Sequence, residues 1–222
     1  MERTGTIVRD AAGIGLAVGI YGVSFGVLAV AAGASVAQAM ALSLLVFTGA
    51  SQFAFVGVIA GGGGAAAAVA PALMLAARNA IYGLSLAPVL TGTRAARVLQ
   101  SHLVIDESTA MARAQDSPAR ARAAFLLTGL AVLTCWNAGT LAGALAGGGL
   151  GDPRDLGMDA MFPAAFLALL APQLRRPGAP VAAVAGAMVA VAAVPFTPVG
   201  VPVIAALAGV VPGVLVARGV RA

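Results

Sequence analysis

The stretch Ala65–Leu90 reads AAAAVAPALMLAARNAIYGLSLAPVL and carries a single charged residue, Arg78, near its middle. A helix of about 20 apolar residues crosses the hydrocarbon core of a bilayer, so this stretch is long enough to span one. A charge at the centre of such a helix costs at least roughly 2.5 kcal/mol, and Arg78 should therefore face a protein interior or a wet cavity. The stretch predicts a membrane-spanning helix whose central arginine contacts protein or water and not lipid.

The whole chain has the composition of an integral membrane protein. Its 222 residues are 60% hydrophobic and 9% charged, against about 25% charged residues in an ordinary soluble domain. The net charge of +5 comes from arginines that lie mainly beside apolar segments. That distribution fits the positive-inside rule and not a nucleic-acid footprint. The length predicts one membrane domain over residues 1–222, with several spans and short loops.

An all-α polytopic helical bundle is expected, because lipid-exposed backbone must satisfy its own hydrogen bonds. The bundle would have roughly six to seven hydrophobic segments, at about Ala11–Ala32, Val36–Ala60, Ala65–Leu90, Ala123–Ala146, Gly157–Leu174, Pro180–Val194 and Val199–Ala217. The first is longer than a signal-peptide core and is read as a retained span. In the polar stretch Thr91–Arg122, four apolar residues are spaced as in an amphipathic helix on the membrane surface, namely Val98, Leu99, Val104 and Ile105.

The number of segments conflicts with the distribution of arginines. If the N-terminus and the stretch Thr91–Arg122 are both cytoplasmic, an even number of crossings must separate them, but three apolar segments do so. One of the three should therefore be interrupted or re-entrant, which is tolerated at membrane depth only where the backbone lines a cavity or is buried in protein. The second and third segments are the candidates, because each carries small and polar residues at its centre.

The second segment is interrupted by the string Phe47-Thr48-Gly49-Ala50-Ser51-Gln52-Phe53. Its small residues are typical of helices that pack closely in membranes. They are equally typical of a helix break whose freed backbone groups and polar side chains hold a ligand at the midplane. The crossing count favours the break, and it makes Thr48, Ser51 and Gln52 candidate substrate-binding residues.

Arg78 and Asn79 interrupt the third segment and are also candidate substrate-binding residues. A guanidinium at that depth needs a carboxylate, backbone carbonyls or an anionic substrate as its partner. Asp159 is a candidate partner for a fixed ion pair, although it is equally suited to cap the helix that it begins. Asp106 and Glu107 are either the wet face of a surface helix or, if the polar stretch folds under the bundle, coupling or ion-pair acids.

The sequence contains little that would support an enzyme or a metal protein. Cys135 is the only cysteine and His102 the only histidine, and no nucleotide-binding or metalloprotease motif occurs, so no metal site and no cofactor is expected. His102 is read as a solvated or structural residue. An intramembrane serine hydrolase built on Ser51 would need a base in a neighbouring helix, whereas His102 lies in the polar stretch. The chain is not expected to be an enzyme.

Several of these strings together resemble the AzlC family of branched-chain amino acid permeases. They are Phe47-Thr48-Gly49-Ala50-Ser51-Gln52-Phe53, Ala77-Arg78-Asn79, Leu86-Ala87-Pro88, Asp106-Glu107-Ser108, Leu156-Gly157-Met158-Asp159 and Pro172-Gln173-Leu174. The resemblance runs in order from about Ile14 to Gln173, and Gly-Ala-Ser-Gln is its most specific part. Where many family members have Thr-Asp-Glu, this chain has Ile105-Asp106-Glu107 and lacks the hydroxyl.

The resemblance implies one subunit of a two-component exporter of valine, leucine, isoleucine and sometimes methionine. Its partner would be a smaller membrane protein of the AzlD type, in the inner or plasma membrane of a bacterium. The substrate carboxylate would meet Arg78 or a broken-helix N-terminus, and its ammonium would meet Ser51, Gln52 and freed carbonyls. The aliphatic side chain would lie against apolar walls, for which the candidates are Phe47, Phe53 and Phe55. A scaffold subunit that does not transport is the alternative that the sequence leaves open.

Overall fold

A computed structural model of the chain describes residues 2–147, 164, 166–167 and 170–219, with side chains from residue 5 onward. Every regular element in these ranges is helical. The α-helices are α1 (Glu2–Ala31), α2 (Val36–Val46), α3 (Ala50–Ala60), α4 (Ala65–Leu86), α5 (Arg94–Ser101), α6 (Asp106–Arg113), α7 (Pro118–Gly147), α8 (Ala179–Ala193), α9 (Val201–Ala205) and α10 (Val210–Gly219). Short 3-10 turns lie at Gln173–Arg175, Val194–Phe196 and Ala206–Gly209.

Five helices in the described part of the chain are long and apolar enough to cross a membrane. They are Gly5–Ala31, Ala65–Leu86, Pro118–Gly147, Ala179–Phe196 and Val201–Gly219. This arrangement confirms the expectation of an all-α, multi-pass membrane protein. The expected apolar segment Gly157–Leu174 lies mostly outside the described residues, so the number of segments stays a prediction.

The second apolar segment is the interrupted one. Its two halves, α2 and α3, have 11 residues each and are roughly 16 Å long at 1.5 Å per residue, which is about half of the hydrocarbon thickness. The third segment, the other candidate for an interruption, is continuous at Arg78-Asn79. There α4 runs without a break from Ala65 to Leu86 and even contains Pro71. A charged side chain leaves the backbone hydrogen bonds of a helix intact, so charge alone does not end it.

The described residues form two compact units. The first contains the residues up to Gln52 and the chain from Ala76 onward through α7, and the second contains Phe53–Leu75 and the described residues after position 163. The expectation of one membrane domain stays a prediction.

The first unit is held together by close packing of α1 against α7. Glycines recur on one face of α1 at positions 15, 19, 22 and 26, and α7 presents Gly139 and Gly143. A β-carbon added at Gly26 would collide with the Thr140 carbonyl, and one at Gly143 would collide with the Val23 carbonyl. Small residues of this kind let membrane helices bring their backbones together, since lipid tails provide no hydrophobic drive for association.

Two side-chain contacts add to this packing. The Ser43 hydroxyl of α2 donates to the Thr140 hydroxyl of α7 at 3.1 Å, and both residues are buried. The rings of Phe25 and Trp136 stack with their centroids 5.8 Å apart. Together they tie α1 and α2 to the same long helix.

The second unit contains a glycine contact of the same type. A β-carbon at Gly186 of α8 would lie 2.9 Å from the Ala206 carbonyl, and one at Gly213 of α10 would lie 2.6 Å from the Ala182 side chain. The helical segment from α9 to α10 therefore packs against α8 through its backbone.

The polar stretch Thr91–Arg122 does not form one surface helix. It contains α5 and α6, and the intervening Val104 and Ile105 are buried, whereas Val98 and Leu99 of α5 are exposed. On α6, Ser108, Thr109 and Ala112 are buried, because this helix packs against α7. An amphipathic helix is thus present as α5 alone, its place on the membrane surface stays a prediction, and α6 is part of the first unit.

The α1–α7 contact predicts that Gly→Ala substitutions at different positions of α1 have very different effects on the stability of the folded protein. Gly26→Ala should destabilise the folded protein by about 1 to 3 kcal/mol, because the added methyl group overpacks a backbone contact. Thermal unfolding of the detergent-solubilised protein measures this effect. Gly13→Ala is the matched control, since no atom lies within 4 Å of a β-carbon at that position. Equal melting temperatures for the two variants would contradict the packing described here.

Candidate functional site

The break between α2 and α3 is a turn in the left-handed region of backbone space. Phe47 has φ of 36° and Gly49 has φ of 62°. Glycine adopts such angles without steric cost, so Gly49 explains why the chain turns here. Phe47 has a β-carbon and depends on its surroundings to hold this conformation.

Gln52 binds two backbone N–H groups at the break and a carbonyl of α2. Its Oε1 accepts from the Gly49 N–H at 3.0 Å and from the Thr48 N–H at 3.3 Å. Its Nε2 donates to the Leu42 carbonyl at 2.9 Å. The side chain is fully buried and joins the end of α2 to the beginning of α3. These three bonds give Gln52 a capping role, and the substrate-binding role that the sequence suggested for it stays a prediction.

The hydroxyls of Thr48 and Ser51 are hydrogen-bonded to each other across the same turn. Ser51 is buried, and Thr48 is partly exposed. This pairing offers two adjacent hydroxyl groups to a ligand.

His102 has a structural role that the sequence did not reveal. Its Nε2 lies 2.8 Å from the Leu44 carbonyl. Because a carbonyl only accepts, this nitrogen must carry the proton. Its ring packs against Phe47, with the centroids 5.6 Å apart. Leu44 is in the last turn of α2, where carbonyls have no partner in their own helix, so His102 caps the helix at the break.

Arg78 forms an ion pair with Asp106. Its Nη2 lies 3.1 Å from Oδ2 of the carboxylate, and the two side chains are 37% and 41% exposed. Asp106 is the first residue of α6, so the polar stretch supplies the partner of the charge on α4. Asp159, the partner considered from the sequence, lies outside the described residues.

Four polar atoms of the ion-paired residues and of two residues near them in the chain have unused hydrogen-bonding capacity. Arg78 Nε, Asp106 Oδ1, Asn79 Oδ1 and Thr109 Oγ1 are each buried and have no hydrogen-bond partner among the described residues. Asp106 and Thr109 are three residues apart on α6 and share a face. Native proteins leave few buried polar atoms unsatisfied, and each exception needs an explanation. One free donor and three oxygens that can accept fit a zwitterionic ligand.

Glu107 adjoins the ion pair and is half-buried. Burial raises the pKa of its carboxyl above the ordinary value, and the neighbouring charge of Asp106 raises it further. A hydrogen bond from its own backbone and the charge of Arg78 act in the opposite direction and are outweighed. Glu107 is therefore easier to protonate than an ordinary glutamate.

A cavity of about 570 Å³ lies within the second unit, lined among others by Gly57, Val58, Pro71, Leu75, Phe166 and Pro202. Thr197 is the one polar side chain in the described lining, and its hydroxyl donates to the Ala193 carbonyl. Phe53, proposed as a wall residue, is buried in this unit against Phe166, with ring centroids 6.3 Å apart. The cavity can accommodate an apolar group, but its described lining has no charged side chain that would bind a zwitterion.

The apolar spans, the interrupted helix and a paired arginine within an apolar helix are features typical of multi-pass membrane transport proteins. The chain belongs to the AzlC protein family, whose model matches residues 13–150. This is a transporter family generally associated with branched-chain amino acids. The match covers α1 to α7, the break and the Arg78–Asp106 pair, but not the resembling strings at Leu156–Asp159 and Pro172–Leu174. No curated protein and no solved structure shows a significant match.

Gln52→Leu should lower the amount of folded protein. The change leaves two N–H groups at the break without this acceptor, at about 1 to 3 kcal/mol for each buried group, and removes a hydrogen bond to the Leu42 carbonyl. Melting temperature and the yield of monodisperse protein measure the effect. Gln115→Leu removes a single bond to the Met111 carbonyl and is the matched control. A Gln52→Leu protein as stable as this control would show that the cap is dispensable.

Glu107 predicts a pH dependence of stability. Because its pKa is raised in the folded state, its favourable contribution is complete below the unfolded-state pKa and is lost as the pH rises through the folded-state pKa. Glu107→Gln, which stays neutral, should therefore match the wild type in acid and exceed its melting temperature at neutral pH. Melting curves across this range test the prediction. A constant difference at every pH would exclude titration of Glu107 as the cause.

Proposed function

We propose that this chain is the transporting subunit of an exporter of branched-chain amino acids, namely valine, leucine, isoleucine and sometimes methionine. It would work with a small membrane partner of the AzlD type in the inner or plasma membrane of a bacterium. The observation that carries the proposal is the accessible Arg78–Asp106 pair, whose neighbouring polar atoms have unused hydrogen-bonding capacity. Family membership supports the substrate class.

The chemistry of an amino acid fits this cluster. The α-carboxylate needs a donor, and a guanidinium can bind it with two parallel hydrogen bonds. The α-ammonium needs acceptors, which Asp106 Oδ1 and Asn79 Oδ1 can supply. Arg78 keeps its link to Asp106 through Nη2, so its Nε remains for the carboxylate. The substrate then supplies charge-assisted bonds to atoms that otherwise have none.

The helix break is the alternative place for the substrate carboxylate. The N-terminus of α3 carries a partial positive charge that favours a carboxylate. Thr48 and Ser51 stay candidate substrate residues, since their mutual hydrogen bond can be exchanged for one to a ligand. Gln52 acts through the backbone that it holds and makes no contact with substrate in this proposal.

Energy for export would come from an ion gradient or from the gradient of the substrate itself, because the sequence contains no nucleotide-binding motif. Glu107 is the candidate coupling residue. It lies beside Asp106 and binds a proton more readily than an ordinary glutamate. A proton on Glu107 would lower the negative charge near the ion pair and weaken the hold on a substrate ammonium.

A scaffold subunit without transport activity is the competing function. Efflux of radiolabelled isoleucine from proteoliposomes separates the two, with this chain alone, the partner alone and both together. Transport that needs both proteins and is abolished by altering Arg78 supports the proposal. Full transport by the partner alone would leave this chain as a scaffold.

Arg78→Lys should reduce isoleucine efflux by about tenfold or more while leaving the folded yield nearly unchanged. Lysine keeps the charge but lacks the planar fork that binds a carboxylate at two points. Asp106→Asn should have a similar effect by removing the acceptor charge. The cost in stability should be small, because both side chains are more than one third exposed and exposed pairs contribute about 0 to 1 kcal/mol.

The chain offers its own control for this experiment. Arg120 and Asp116 form a comparable ion pair at 2.7 Å near the beginning of α7, and Arg120→Lys should transport at the wild-type rate. The exchange Arg78→Asp with Asp106→Arg adds a second criterion. A purely structural pair would tolerate this reversal, whereas a substrate site would no longer transport. Wild-type efflux by Arg78→Lys would contradict the proposed role.

A further inference from the structure

Helix α5 has two chemically distinct faces. Arg97, Gln100 and Ser101 lie on one face and Ala95 and Leu99 on the opposite one. Arg94 and Val98, four residues apart, are neighbours at the boundary between the two faces. The helix is short but well defined, because the Thr93 hydroxyl accepts from the Ala96 N–H at 3.2 Å and caps its beginning. No residue of α5 is buried.

The apolar face of α5 is open. Val98 is 68% exposed and Leu99 is 74% exposed. Helix α4, a membrane-spanning helix, ends at Leu86, and α7, the next one, begins at Pro118. Helix α5 is thus part of the connection between two helices long and apolar enough to cross a membrane. An amphipathic helix in such a connection can lie in the membrane interface with its apolar face toward the acyl chains.

The polar face of α5 carries charge that the protein does not neutralise. Neither Arg94 nor Arg97 has a carboxylate within ion-pair distance among the described residues. Both guanidinium groups are exposed and can bind phosphate oxygens with two hydrogen bonds. Basic residues beside a membrane helix are attracted to anionic lipids. The charge of α5 is therefore complementary to an anionic bilayer surface.

The end of α5 is linked directly to the helix break. His102, the residue after α5, donates from Nε2 to the Leu44 carbonyl of α2 and packs its ring on Phe47. Phe47 has the left-handed backbone conformation at the break. A displacement of α5 would pull His102 away from both, leaving the last turn of α2 without this cap.

We propose that α5 senses anionic phospholipid and transmits lipid binding to the helix break through His102. Arg94 and Arg97 bind lipid phosphates while Val98 and Leu99 enter the interface. The docked helix holds His102 against Leu44 and Phe47, and so keeps the break between α2 and α3 in the observed conformation. In a bilayer without anionic lipid, α5 dissociates more often and the break opens more often.

Hydrogen–deuterium exchange of the full chain in lipid nanodiscs tests this proposal. One set of nanodiscs contains phosphatidylcholine alone, and the other contains equal parts of phosphatidylcholine and phosphatidylglycerol. Amides of residues 94–101 should exchange about tenfold more slowly with phosphatidylglycerol, the order expected for two arginines at an anionic surface. Amides of residues 47–52 should slow in parallel. Equal exchange in the two lipids would overturn the proposal.

Variants distinguish lipid binding by Arg94 and Arg97 from its transmission to the helix break by His102. The double change Arg94→Gln with Arg97→Gln should abolish the lipid effect in both segments, whereas Arg175→Gln with Arg176→Gln, an equal reduction of exposed charge, should leave it intact. His102→Ala should keep the lipid effect on α5 but remove it from residues 47–52. His102→Gln, which retains a donor for the Leu44 carbonyl, should restore much of it.

Three results would contradict the proposal. The lipid effect could persist without Arg94 and Arg97, or the break could respond to lipid without His102. Alternatively, α5 could be protected only when a partner protein co-purifies, which would identify the occupant of this face as a protein. Since Arg94 and Arg97 are exposed surface residues, their variants should fold even if the His102→Ala protein does not, and the first criterion then decides.

Discussion

An interrupted helix in a membrane protein must satisfy the backbone groups that the interruption releases, because lipid offers them no hydrogen bonds. Here side chains of the protein meet part of that constraint. Gln52 binds the N–H groups of Thr48 and Gly49 and a carbonyl of the preceding helix, and His102 takes the Leu44 carbonyl. These hydrogen bonds are made within the protein and need no bound ligand.

The polar residues of this chain fall into two groups with different chemistry. Gln52 and Ser43 have their hydrogen bonds made within the protein, which fixes helices relative to each other. Arg78, Asp106 and Asn79 retain unsatisfied atoms and partial exposure. Satisfied groups resist rearrangement, because breaking any of their hydrogen bonds leaves a buried polar atom without a partner. Groups with unused capacity gain by binding, so a transported solute is expected among them.

Much of the fold follows from the sequence, and the exceptions have physical reasons. The lengths of the apolar segments predict the spans. An interrupted segment is predicted because three apolar segments separate two arginine-containing regions that should both be cytoplasmic. The depth of Arg78 predicts that it has a partner, but sequence distance gives no sign that this is Asp106 of the polar stretch. The burial of Val104 and Ile105 and the cap by His102 also depend on tertiary contacts. The helical periodicity of one sequence shows which residues share a face of a helix, but it does not show which of these faces packs against another helix.

The α1–α7 contact has a consequence for biosynthesis. Gly19 lies against Gly139, and the two are 120 residues apart in the chain (139 − 19). At about 5 to 20 residues per second, α1 waits on the order of 6 to 24 s in the membrane before its partner helix has been synthesised. During that interval its glycine face is open to any other helix with small residues. Correct assembly of this protein therefore depends on whether the translocation machinery keeps other helices away from α1 during this interval, as well as on the stability of the folded protein.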